Sequence, residues 1–203
     1  MLTATGLSCI RGERCLFSGL DLAVEPGEWL HVQGENGAGK TSLLRILASL
    51  SPPAGGEIRW QGVPIKTLAE DYHRDMLFLG HHGAVKEELT PFENLTLAAQ
   101  LDGAPLDETA AIKALARFGL RGREDLAVRF LSAGQKRRVL LARLAVRQAT
   151  LWILDEPFTA LDVKAVDMLS GLIEEHVKAD GICILTSHQS MPLPNGRTLK
   201  VGA

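Results

Sequence analysis

Gly34 and Gly39, followed at once by Lys40 and Thr41, fit the spacing of GxxxxGK with a hydroxyl residue after it, inside the stretch "GENGAGKTS". A loop of this kind turns backbone N–H groups onto phosphate oxygens. The lysine neutralises charge on the outer two phosphates of a triphosphate, and the hydroxyl reaches a divalent cation. Glycines are needed because side chains would block so close an approach. On this reading Gly34, Glu35, Asn36, Gly37, Ala38, Gly39, Lys40, Thr41 and Ser42 form the lining. An ordinary glycine turn is the rival reading, and the strand before the loop and the helix after it weigh against that rival.

Asp155 and Glu156 end the apolar run "TLWILDE". A carboxylate at the C-terminal end of a buried strand sits where α/β sheets present ligands, so Asp155 can hold Mg²⁺ through water. The side chain of Glu156 points elsewhere and suits a base that polarises an attacking water. Two adjacent acids alone would mark a solvated strand end; the phosphate loop shifts the reading to hydrolysis. In "LSAGQKRR", Ser132, Ala133 and Gly134 lie at a helix N-terminus, where free N–H groups favour an anion. Lys136, Arg137 and Arg138 in that first turn oppose the helix dipole. A nearby phosphate or surface ion pairing explains them equally well. His188, at the tip of "CILTSH", can donate a hydrogen bond to a γ-phosphate, although a lone histidine is more often structural.

The elements that must carry these groups are legible too. "LDLAV", "EWLHVQG" and "EIRWQGVPI" read as short strands bounded by Pro26, Gly27, Gly55, Gly56 and Gly62. "KTSLLRILASL" has its apolar residues at helical spacing and is stopped by "SPPAGG". Thr90, Pro91 and Glu93 form a capping box with proline at the first helical position, and a second helix is expected from Asp107 to Phe118 with Gly119 as its stop. Ser132 with Gln135 makes another capping box. "TLWILDE" and "GICILTSH" share one design, an apolar buried strand with a polar tip. Asn195 and Gly196 predict a hairpin turn.

The 22 Lys plus Arg against 24 Asp plus Glu argue against a polyanion such as nucleic acid as the main partner. Cys9, Cys15 and Cys183 form no CxxC pair and fit a reducing compartment. No stretch approaches the ~18 apolar residues of a membrane span, so direct membrane insertion is not expected.

"GENGAGKTS", "LSAGQ", "LWILDEP", "TALD" and "TSH" occur in the order and approximate spacing found in the nucleotide-binding subunits of ABC transporters, which the chain resembles over nearly its whole length. The resemblance implies an α/β fold: a P-loop NTPase of ABC type, with a RecA-like core, an N-terminal antiparallel β-subdomain and an α-helical subdomain inserted at about residues 88–147 of a single domain spanning 1–203. It also implies ATP and Mg²⁺ as ligands and a head-to-tail homodimer. Each ATP would be gripped by one phosphate loop and capped by Ser132, Ala133, Gly134 and Gln135 of the other subunit. By the same carry-over Thr41 and Asp155 serve Mg²⁺, Glu156 is the general base, Lys40 grips phosphate, Asp162 in "TALD" links the two sites and His188 senses the γ-phosphate.

Two positions depart from that family. The glutamine that usually contacts Mg²⁺ and moves with the membrane subunit is replaced by His81 or His82. The adenine-stacking aromatic is replaced near Arg11, whose guanidinium plane can stack on a base. Within the family, the segment "YHRDMLFLGHHGAVKEELTPFENL" looks like the ATP-binding subunits of the haem exporter system of bacterial cytochrome c maturation. That likeness implies integral membrane partners of the CcmB and CcmC type, docking beside residues 80–95, and a peripheral place on the cytoplasmic face of the inner membrane. The cargo step would be haem export or ATP-driven release of a haem carrier. An ATPase of another small exporter, or a soluble ATPase of the same class, is the alternative.

Overall fold

The computed structural model describes residues 1–80, 85–188, 193 and 196–202. His81 and His82 lie outside the described residues. The chain divides into two compact units, the first made of Met1–Phe78, Ala149–Pro157 and Ile173–Ala203, the second of Leu79–Gln148 and Phe158–Leu172.

The first unit opens with β1 (Leu2–Arg11) and β2 (Arg14–Val24), antiparallel from Leu2↔Val24 to Arg11↔Arg14 around a turn in which Gly12 takes a φ of +59°. Along β1, Leu2, Ala4, Leu7 and Cys9 are buried, and the residues between them are not. That one-sided burial is the mark of a sheet with a single face on the core. After β3 (Trp29–Gln33) and α1 (Lys40–Leu47) come β4 (Gly55–Trp60), β5 (Val63–Pro64), the short helices α2 (Ile65–Leu68) and α3 (Glu70–Asp75), and β6 (Met76–Leu79). The unit is completed by β7 (Leu151–Leu154), β8 (Ile182–Thr186) and β9 (Arg197–Lys200).

Two sheets result, a four-stranded one in the order β2-β1-β4-β5 and a five-stranded one in the order β6-β7-β8-β3-β9. In the second, β7 with β8, β8 with β3 and β3 with β9 run parallel. Every residue of β7 and β8 is buried, as a parallel strand covered on both faces requires. Leu43, Leu44, Ile46 and Leu47 of α1 share one apolar cluster with Leu7 and Val24 of the antiparallel sheet and with Val32, Ile153 and Ile184 of the parallel one. This cluster anchors the helix that carries the phosphate loop. Tyr72 of α3 is wholly buried, and its hydroxyl donates to the carbonyl of Leu47 at 2.6 Å, tying down the end of α1.

The hairpin turn expected at Asn195 and Gly196 falls partly outside the described residues. Asn195 lies outside them, and the strand that follows, β9, pairs parallel with β3. A Cβ on Gly196 would run into the ring of Trp29.

The second unit is helical: α4 (Pro91–Leu101), α5 (Glu108–Arg117), α6 (Ala133–Leu141), and α7 (Val163–Lys178), whose last turns belong to the first unit. The helix starts follow their predicted chemistry. Thr90 Oγ1 accepts from Glu93 N–H at 3.1 Å while the Glu93 carboxylate accepts from Thr90 N–H at 2.8 Å. Asp107 caps α5 through Ala110 N–H at 2.8 Å, and Gly119 follows its end with a φ of +70°. Among the described residues no helix is long and apolar enough to cross a membrane.

Candidate active site

The phosphate loop runs from the end of β3 into α1. Gly37 and Gly39 have φ of +80° and +103°, values that side chains resist. A Cβ on Gly39 would stand 3.1 Å from Leu16 Cβ and 3.3 Å from the Phe17 ring, so β2 packs closely against the loop. A Cβ on Gly34 would strike the carbonyl of Val201, whose own N–H donates to Gln33 at 2.8 Å. The loop is therefore shaped by close backbone approach on two sides. Gly39 offers α1 no side-chain cap, and the first turn of α1 holds no acid, so its leading N–H groups are suited to an anion. Lys40 is buried, and its Nζ donates to the carbonyls of Gly34 at 2.8 Å and Glu35 at 3.1 Å, which arches the side chain back over the loop. Glu35 and Asn36 are exposed, and Ser42 is half-buried.

The carboxylates meet this loop from β7. Asp155 is 1% exposed, and its two oxygens accept from Thr41 Oγ1 at 2.9 Å and from Thr186 Oγ1 at 2.7 Å. The same Thr186 hydroxyl oxygen accepts from Glu156 N–H at 2.8 Å. One hydroxyl at the tip of β8 thus holds both acids, and motif spacing had not singled it out. Glu156 has a φ of +51°, an uncommon conformation for a residue with a side chain, and it turns the second carboxylate away from the first. Glu156 Oε2 accepts from His188 N–H at 3.2 Å, and Oε1 lies 3.4 Å from His188 Nε2. The carboxylate is mostly buried while the imidazole is half exposed, so His188 is the member of the pair that faces solvent.

Arg11 is the last residue of β1. Its Nη2 donates to Ser51 Oγ at 3.4 Å, at the loop after α1. Its cross-strand partner Arg14 brings Nη1 to 3.9 Å from where a Cβ on Gly37 would be. Arg14 is a further cation beside the glycine loop, besides Lys40, and the hairpin register was the signal that could have found it.

In the helical unit, Ser132 Oγ accepts from Gln135 N–H at 3.3 Å and Gln135 Oε1 accepts from Ser132 N–H at 3.0 Å, closing the capping box at the start of α6. Ser132 and Ala133 are exposed. Gly134 is required by packing, since a Cβ would lie 2.8 Å from the carbonyl of Ala160. The "LSAGQ" and "TALD" segments therefore touch. Asp162 Oδ1 accepts from Ala165 N–H at 3.0 Å in the first turn of α7 and pairs with Arg138 Nη2 at 2.8 Å. Its carboxyl is held below the usual range, first by that backbone bond and then by the guanidinium. The three cations of the first turn of α6 resolve to ion pairing and hydrogen bonding. Lys136 meets Glu87, Arg138 meets Asp162, and Arg137 donates to the carbonyl of Gly80 at 3.2 Å.

A glycine loop leading from the end of an inner parallel strand into a helix, with Asp155 and Glu156 at the tip of the next strand but one and a "LSAGQ" helix in a separate unit, defines a P-loop ATPase of the ATP-binding cassette class. The family model for ABC transporters matches residues 17–159, and the chain belongs to that family. Its similar relatives carry a more particular name. The chain is 56% identical over 204 residues, covering 100% of both chains, to the "Cytochrome c biogenesis ATP-binding export protein CcmA" of Dechloromonas aromatica. It is 48% identical over 201 residues, 99% of this chain and 95% of the other, to the protein of the same name in Escherichia coli. An ABC transporter ATP-binding protein of Pyrococcus furiosus superposes with a TM-score of 0.85 at 26% identity, over 98% of this chain and 96% of that one. An ATP-binding cassette solved as a dimer with ADP and Pi has the same fold, with a TM-score of 0.85 at 21% identity over 100% of this chain and 94% of its own.

Proposed function

We propose that the chain is the ATP-hydrolysing subunit of a membrane ABC complex that handles haem for cytochrome c biogenesis. The observation that carries the ATPase half is the Thr41–Asp155–Thr186–Glu156 array, with a second carboxylate separated from the first and backed by His188. The haem half rests on 56% identity along the whole chain to a protein named for cytochrome c biogenesis.

The residues divide the work. The amides of residues 34–42 cradle the triphosphate, and Lys40 leaves the carbonyls of Gly34 and Glu35 to neutralise its outer charge. Thr41 Oγ1 and the Asp155 carboxylate are hard oxygen donors on neighbouring elements, and no group of three or more His, Cys, Asp or Glu side chains suited to a metal occurs among the described residues. That donor set fits Mg²⁺, which takes one or two protein oxygens and completes its shell from phosphate and water. Mg²⁺ bound there would supply charge neutralisation on the transferring phosphate. Glu156 accepts the proton of the attacking water as the γ-phosphate departs in line, and His188 donates to a γ-phosphate oxygen.

Turnover takes a homodimer, with Ser132, Ala133, Gly134 and Gln135 of one subunit capping the ATP held by the other and Asp162 linking the two sites. Arg11, on the β1–β2 hairpin with Arg14, is the stacking cation for the base. The membrane subunits, of the CcmB and CcmC type, dock beside residues 80–95, where His81 or His82 stands for the usual glutamine. The chain sits peripherally on the cytoplasmic face of the bacterial inner membrane, and ATP closure and hydrolysis drive haem export or release of a haem carrier.

The test is ATP turnover by the chain co-isolated with its membrane partners, set against Glu156→Gln. The variant is expected to bind ATP, to accumulate as a dimer and to lose turnover by at least ~100-fold, the scale of a general base. Normal turnover in Glu156→Gln would remove the base, and membrane partners unrelated to cytochrome c maturation would remove the haem assignment while leaving the ATPase.

A further inference from the structure

β3 carries a buried histidine that none of the motifs claims. His31 is 5% exposed and lies three residues before the first glycine of the phosphate loop. Both ring nitrogens are engaged: Nε2 is 3.2 Å from the carbonyl oxygen of Ser187, and Nδ1 is 3.1 Å from the side-chain nitrogen of Gln33. A carbonyl only accepts, so Nε2 carries the proton. Nδ1 then keeps its lone pair and accepts from the Gln33 amide, which selects one neutral tautomer.

The parallel pairing of β3 with β8, with His31 opposite Leu185 and Val32 opposite Thr186, brings the imidazole to the end of β8. Its target there is informative. The Ser187 carbonyl and the His188 N–H are the two ends of one peptide group. The imidazole holds the oxygen end, while the nitrogen end donates to Glu156 Oε2 at 3.2 Å. If that peptide rotated, its N–H would leave Glu156. A bond at its oxygen both resists the rotation and polarises the N–H toward the carboxylate.

We infer that His31 is a positioning residue for Glu156, acting through the Ser187–His188 peptide and held in its working tautomer by Gln33. The inference rests on the reading of Glu156 as the general base. Gln33 is the last residue of β3 and precedes Gly34 directly, so the relay runs from the root of the phosphate loop to the catalytic carboxylate. His31 touches no substrate in this scheme, and its effect falls on the chemical step rather than on nucleotide binding.

The experiment measures ATP turnover by the full chain in its membrane complex for His31→Leu, His31→Gln, His31→Asn and Glu156→Gln. Glutamine places an N–H at about the reach of Nε2, asparagine stops at about the reach of Nδ1, and leucine offers no donor. His31→Leu and His31→Asn are expected to lower kcat about tenfold, the loss of one buried positioning bond, with KM for ATP within about twofold of the parent. His31→Gln should recover most of that kcat. The Gln and Asn variants are both polar, so their comparison stands even where the leucine variant folds poorly. Equal kcat in the Gln and Asn variants, or a rise in KM that accounts for the loss, would overturn the inference. Full turnover in Glu156→Gln would overturn the base reading itself; loss there with unaltered His31 variants would overturn only the role of His31.

Discussion

Thr186 shows how much one hydroxyl can organise. It is wholly buried, donates to Asp155 and accepts from the Glu156 amide, and so fixes the angle at which the two acids part. Thr186→Val keeps the shape and removes both bonds. Leaving the buried Asp155 oxygen and Glu156 N–H without that partner costs about 1–3 kcal/mol. The variant is expected to lose turnover about tenfold or more, with Thr186→Ser recovering most of it, measured as kcat in the assembled complex. The cations of α6 carry the opposite message. Lys136, Arg137 and Arg138 invited a phosphate by their number, and the fold answers each of them from its own chain.

Among the elements, α7 ends against β7 through a flat stack, the His176 ring lying 3.8 Å from Trp152 at an interplanar angle of 3°. His176 Nε2 is 3.2 Å from the carbonyl of Ile182, and Gly181 leaves room for the ring because a Cβ there would collide with it. Burial holds the imidazole below its ordinary value of 6.5, against the pull of backbone carbonyls of Ile182 and Thr150. The unfolded chain therefore takes up a proton that the folded one refuses. The stability from this site is whole above the unfolded value of 6.5 and is lost as pH falls below it toward the lowered folded value. Urea midpoints at pH 7.5 and 5.5 should show the parent losing stability on acidification and His176→Gln losing less.

For the molecule as a whole, burial sorts the three cysteines. Cys15 is exposed, Cys9 and Cys183 are buried, and desolvation pushes the Cys183 thiol up. A thiol reacts as its thiolate and only when reached. Treated with a maleimide under native conditions, the chain should take up one adduct, at Cys15, and three after unfolding, counted by intact mass; rapid labelling of Cys183 in the native chain would contradict the packed parallel sheet.

Short-range chemistry was legible before any fold was known. The capping boxes of α4 and α6, the glycine loop and the apolar runs of β7 and β8 each depend on residues a few positions apart, so spacing alone carries them. The contacts that arm the carboxylates depend on chain segments far apart. Thr186 meets Asp155 across 31 positions and His31 meets Ser187 across 156. Such contacts leave no periodicity to read, and neither does the parallel seat of β9 beside β3. Residue types and local spacing therefore specified which groups could do chemistry, while the parallel register of β3, β7 and β8 selected which buried side chains hold them in place.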